Sequence, residues 1–152
     1  MESSLKFKYK KIVTDAGYES EENYTYLKNN NQLAFIKPSN YERSRTRRYK
    51  NDIGRIGNMA YNEKDDYYIC HNNKKLTVSN VIYRKSKTGY QSEKTIYTCE
   101  DCNNCSFKSG CIKGNHCKTP LGNRVKNFET SKLFNRFIWR IEARHGFSKI
   151  YE

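Results

Sequence analysis

Five of the six cysteines lie between residues 99 and 117, spaced Cys99-x2-Cys102-x2-Cys105-x5-Cys111 and followed by His116 and Cys117. The residues around them are mostly Asn, Lys, Ser and Gly, which offer little apolar surface, so this stretch needs something other than a hydrophobic core to hold a shape. Soft thiolates this close together can wrap one tetrahedral zinc ion, and the metal then takes the place of the missing core. Cys99, Cys102, Cys105 and Cys111 are the candidate ligands. Their spacing is not that of a standard paired zinc ribbon, and two other uses stay open. One is an iron–sulfur cluster, although the usual ferredoxin run has Pro directly after its fourth Cys and this chain has Ile112. The other is a set of unmetallated thiols packed in a small loop. Cys70, far upstream, reads as a core thiol.

The cysteine reading depends on compartment. Residues 1–11 hold no apolar run of secretory length and no stretch approaches a membrane span, so a cytoplasmic, reducing location with no membrane partner is expected. A disulfide framework is disfavoured there. Lys and Arg outnumber Asp and Glu by 29 to 16, a net charge of +13 over 152 residues. A domain this small carries such repulsion most readily beside a polyanion, and nucleic acid is the natural one. The alternative is a basic surface that only keeps the protein soluble. The mean hydropathy is −1.03, yet 13 Tyr and 7 Phe supply rings that pack on one side and hydrogen-bond on the other, which argues for a thin ordered core.

Residues 7–14 alternate apolar and basic positions and end on a β-branched run, which predicts a strand ending at Asp15. Ala16-Gly17-Tyr18 reads as a turn. Ser20 before Glu21 and Glu22 predicts a helix N-terminus, with Tyr24 and Leu27 on one face and a stop at Asn29-Asn30-Asn31. Leu33–Ile36, closed by Pro38, predicts a second, buried strand parallel to the first. From Tyr41 to Asn51 the chain carries Arg43, Arg45, Arg47, Arg48 and Lys50, read as an exposed basic loop suited to DNA phosphates. Short Tyr-rich segments from 61 to 98 predict a small antiparallel β region. Phe134, Phe137, Ile138 and Ile141 recur at helical spacing and predict a helix over 129–143.

Two carboxylates gain interest from position. Asp15 stands at the carboxyl end of a predicted strand, where open α/β sheets display metal and ligand groups, though an Asp so close to Gly is more often a turn residue. Glu142 closes the last helix beside its apolar stripe, where an ordinary ion pair with Arg140 or Arg144 is the plain alternative.

Ile12 through Tyr24, the stretch Lys87–Glu93 running on through Ile96–Cys102 to Cys105 and Cys111, and Arg140-Ile141-Glu142-Ala143 together resemble bacterial insertion-sequence transposases of the DDE type, in the family's order and over most of the chain. The resemblance implies an α/β (α+β) fold, part of a ribonuclease H-like catalytic core with a small antiparallel, Cys-rich insertion. It implies core at 1–40, a basic β-rich insertion at 41–122 and a core helix region at 123–152. Asp15 and Glu142 would be metal-binding catalytic residues, with Mg²⁺ as cofactor and transposon-end DNA as substrate. The family's first catalytic Asp lies on an early strand that this chain does not contain. After Ala143, Arg144 runs directly into His145-Gly146-Phe147, where the family has a longer helix. The expectation is therefore a C-terminal fragment, inactive alone, that works with a missing N-terminal part or with full-length transposase. The alternative is a non-catalytic module that binds DNA or transposase.

Overall fold

In the computed structural model, which describes residues 7–114 and 116–135, the first strand β1 covers Lys11–Thr14. Its start is four residues later than the alternation predicts. Asp15 then caps a 3-10 turn at Ala16–Tyr18, and helix α1 follows at Glu21–Asn29. The Ser20 hydroxyl accepts the Asn23 N–H at 3.1 Å and so satisfies one donor that the first turn leaves open. Asn31, in the left-handed region at φ 55°, turns the chain toward β2 at Leu33–Ile36. Strands β1 and β2 pair in parallel, Lys11 beside Leu33 through Thr14 beside Ile36. Tyr24 and Leu27 of α1 bury against Ile36, with Ile12, Ala34, Tyr41 and Phe134 around them. The predicted strand–helix–strand unit is present.

The basic stretch is not a simple loop. It forms two single-turn helices, α2 at Tyr41–Ser44 and α3 at Arg47–Lys50. The Thr46 hydroxyl accepts the Tyr49 N–H, and the Arg55 guanidinium lies over the Tyr49 ring at 4.0 Å. Local capping and cation–π packing order a segment whose charge alone suggested solvation.

A five-stranded antiparallel sheet follows in the order β3 (Ala60–Asn62), β4 (Tyr67–Ile69), β5 (Lys75–Lys85), β6 (Gln91–Cys99) and β7 (Asn127–Thr130). At the bulge between Val78 and Asn80, Ser79 Oγ lies 2.8 Å from Thr98 Oγ1. Strand β7 was not foreseen: it occupies the start of the predicted helix, and residues 132–135 are the first helical ones after it. The local period is two rather than 3.6, because Phe128 turns inward opposite Tyr97 while Asn127 and Glu129 face out. The rest of the predicted helix, with Glu142, lies outside the described residues.

The described residues divide into two units. One comprises 7–41, 87–90 and 132–135, and the other comprises 42–86, 91–114 and 116–131. In the first, the turn residues Thr88 and Tyr90 meet α1: Thr88 donates to Glu22 at 2.7 Å and Tyr90 donates to Glu21 at 3.1 Å. In the second, the core is built from rings and sulfurs. Tyr68 packs edge-on to Tyr97 and Phe128, with centroids 5.0 and 5.1 Å apart. Leu76, Met59, Cys99, Cys102 and Cys111 complete it. The mixed α/β (α+β) class is the one expected.

Candidate functional site

Asp15 sits at the carboxyl end of a parallel strand, exposed. One carboxylate oxygen accepts the Gly17 N–H at 3.0 Å, which fixes the side chain as the cap of the 3-10 turn. Hard carboxylate oxygens are the donors Mg²⁺ takes, so Asp15 is suitable as one ligand. Among the described residues no group of three His, Cys, Asp or Glu side chains stands in a metal-holding arrangement. Glu142, the other carboxylate singled out by sequence, is outside the described residues.

The basic residues Arg43, Arg45, Arg47, Arg48 and Lys50 are all exposed on α2, α3 and the link between them. Beside α3 opens a groove of about 510 Å³ whose lining includes Lys50, Asn51, Asn58, His71 and Asn73. Asp52 forms its anchored wall. The carboxylate accepts from Lys113 and from the Gly54 N–H at 3.1 Å, and pairs with Arg55. The Lys113 hydrogen bond holds its pKa below the usual carboxylate value.

The cysteines converge more than their spacing foretold. Cys70, Cys99, Cys102, Cys105 and Cys111 line one small cavity of about 20 Å³, together with Lys108 and Lys126. Cys70 is brought there by the β4–β5 turn. Its N–H donates to the Lys74 carbonyl and its carbonyl accepts the Asn73 N–H, both at 2.9 Å, with Asn73 at φ 56°. Cys102 and Cys105 flank Asn104, whose φ of 49° reverses the chain between them. Cys111 ends the single-turn helix α4, Lys108–Cys111. Lys126 ties the far side, donating to the carbonyls of Gly54 at 2.7 Å and Cys111 at 3.2 Å.

Within this cluster the thiols differ. Burial pushes the Cys99 thiol up to about 12, and its sulfur donates to the Asp101 carbonyl at 3.4 Å. Cys102 Sγ accepts the Lys126 backbone N–H at 3.3 Å. Burial also raises the Cys111 thiol, against the opposing charge of Lys126. Cys117 and His116 are exposed and are not among the residues lining the cavity. Cys70 packs against the core, as its sequence reading has it, and also lines the cavity with the other cysteines, which the sequence did not foretell. The only local signal was the His71-Asn72-Asn73 turn directly after it.

A family model described as the transposase DDE domain matches residues 69–144, half of the chain. The chain belongs to the transposase DDE domain family. The matched span holds the whole cysteine cluster and Glu142, while Asp15 and the basic helices precede it. Comparisons with curated proteins and with solved structures give no significant match. Among the described residues no helix is long and apolar enough to cross a membrane.

Proposed function

We propose that this chain is the C-terminal part of an insertion-sequence transposase that cuts and joins DNA, with β1, α1 and β2 as a piece of a ribonuclease H-like core. The observation that carries this reading is the exposed Asp15 at the carboxyl end of a parallel strand, in a chain of the transposase DDE domain family. Asp15 and Glu142 would hold Mg²⁺. The metal supplies the activation of a water or a 3′-hydroxyl and the stabilisation of the departing 3′ oxygen during in-line attack on a phosphodiester. The cap bond from Gly17 orients the Asp15 carboxylate before DNA arrives. Arg43, Arg45, Arg47, Arg48 and Lys50 would grip the phosphates of transposon-end DNA. A structural zinc at the cysteine cluster belongs to the same reading.

Two carboxylates do not complete a two-metal site. Alone, the chain is proposed to be inactive, and to act with a further carboxylate-bearing segment or with full-length transposase. A nicking assay on transposon-end DNA with Mg²⁺ or Mn²⁺ tests this. No cleavage is expected from the chain by itself, and cleavage restored by a partner segment should vanish with Asp15→Asn. Robust cleavage by the chain alone, lost in Asp15→Ala, would overturn the inactivity. The second reading, a regulatory DNA- or transposase-binding module, is favoured by the exposed basic face of α2 and α3. It would prevail if the chain binds DNA but Asp15→Asn leaves all restored cleavage intact.

A further inference from the structure

The groove of about 510 Å³ beside α3 has more polar capacity than the fold uses. Lys50, Asn51, His71 and Asn73 line it, and among the described residues none of their side chains makes a hydrogen bond or ion pair. Asn58, also in the lining, gives its amide N–H groups to the carbonyls of Tyr49 and Asp52, at 2.9 Å each. Those bonds tie the end of α3 in place and leave the amide oxygen as an acceptor. Ile53, Ala60 and Ile69 supply apolar lining. Sites for small organic groups have this makeup, a volume between about 300 and 1,000 Å³ with a few polar groups set among apolar ones.

The chemistry of the lining selects an occupant. Asn amides present a donor and an acceptor together and so match the edge of a nucleobase, while His rings stack on unpaired bases. The His71 ring is steadied edge-on against Phe107, with centroids 4.6 Å apart and planes at 86°. At the rim, Arg47, Arg48 and Lys50 stand exposed on α3, where cations can hold the phosphates on either side of such a base. The one acid in the lining, Asp52, has its charge offset by Lys113 and Arg55, so it does not repel them. A base that is paired and stacked shows only its groove edges and cannot enter a concavity, whereas an unpaired base can. We infer that this groove seats one unpaired nucleobase of a DNA strand whose phosphates lie along α3. The inference rests on the DNA-binding reading above and adds a place where the strand is read as well as held.

The test titrates the full chain, by fluorescence anisotropy at about 50 mM salt, against three DNA probes of one sequence. The first is a fully paired duplex, the second carries one extra unpaired nucleotide, and the third has that nucleotide without its base. The unpaired base should tighten binding about tenfold over the paired duplex, and the probe lacking the base should lose that gain. Asn73→Gly removes an amide and keeps the left-handed backbone at φ 56°, and His71→Ala removes the ring. Both should erase the gain and leave the affinity for paired duplex unchanged, which also reports that the variants fold. Arg47→Ala combined with Arg48→Ala should weaken all three probes alike. Equal affinity for the three probes, or a gain that survives in both groove variants, would overturn the groove assignment and leave the DNA reading standing. Binding of deoxycytidine monophosphate without any gain from an unpaired base in DNA would assign the groove to a free nucleotide and overturn the strand. No binding to any probe would overturn both the groove and the DNA reading.

Discussion

At the scale of single residues, Asp15 has two separable duties. As the cap of a 3-10 turn its carboxylate accepts the Gly17 N–H, and loss of such a cap costs about 0.5–2 kcal/mol. Asp15→Ala should therefore lower the urea midpoint as well as any metal-dependent cleavage. Asp15→Asn keeps an acceptor oxygen, so stability should hold while cleavage in the completed enzyme is lost. Tyr61 and Tyr97 both donate to the Asp66 carboxylate, at 2.8 and 2.5 Å. Tyr97→Phe should cost about 1.5–3 kcal/mol, the range for a hydrogen bond to a charged group. Burial, with help from Asp66, raises the Tyr61 phenol from 10.0 to about 12, and Tyr97 is raised in the same direction. A folded pKa above the unfolded one means that the contribution to stability is complete below pH 10 and fades as pH climbs toward 12. Urea midpoints at pH 9 and pH 11.5 measure it, and Tyr61→Phe should flatten the difference.

At the scale of elements, the segments that carry their own signals were legible. The Ser20 cap, the Asn29–Asn31 stop and the β-branched end of β1 specified α1, β2 and the end of β1 almost to the residue. Ser20→Ala should cost about 1 kcal/mol, read by thermal melting of the chain. The Tyr-rich strands were legible as strands because turn residues separate them. What escaped was set by contacts distant in sequence. Strand β7 exists because Phe128 stacks on Tyr97 at 5.3 Å, a pairing invisible to a local window, and the stronger helical pattern downstream masked it. The basic segment looked like a loop because neither the Thr46 cap nor the Arg55–Tyr49 stack registers as hydrophobic periodicity. Cys70 was legible as a core thiol, but its place beside the other cysteines was not, because they lie some thirty residues or more later in the sequence.

At the scale of the whole molecule, charge and connectivity matter most. The net +13 makes any DNA affinity fall steeply with salt, by a slope of about 0.9 per phosphate contacted in log–log form. Replacing Arg43, Arg45, Arg47 and Arg48 by Ala should flatten that slope, with titrations between about 50 and 200 mM salt as the measurement. A slope unchanged by the four substitutions would move the DNA-binding face elsewhere. The sheet's connectivity has a different kind of consequence. Strands β5 and β6 are joined by a tight hairpin, but β7 reaches its place beside β6 only after the excursion of residues 100–126. In time rather than space, the hairpin closes early and β7 docks late, since a long loop is slow to bring its ends together. The cluster held in that excursion would then scarcely alter how fast the sheet forms, and would govern mainly how long it lasts once formed.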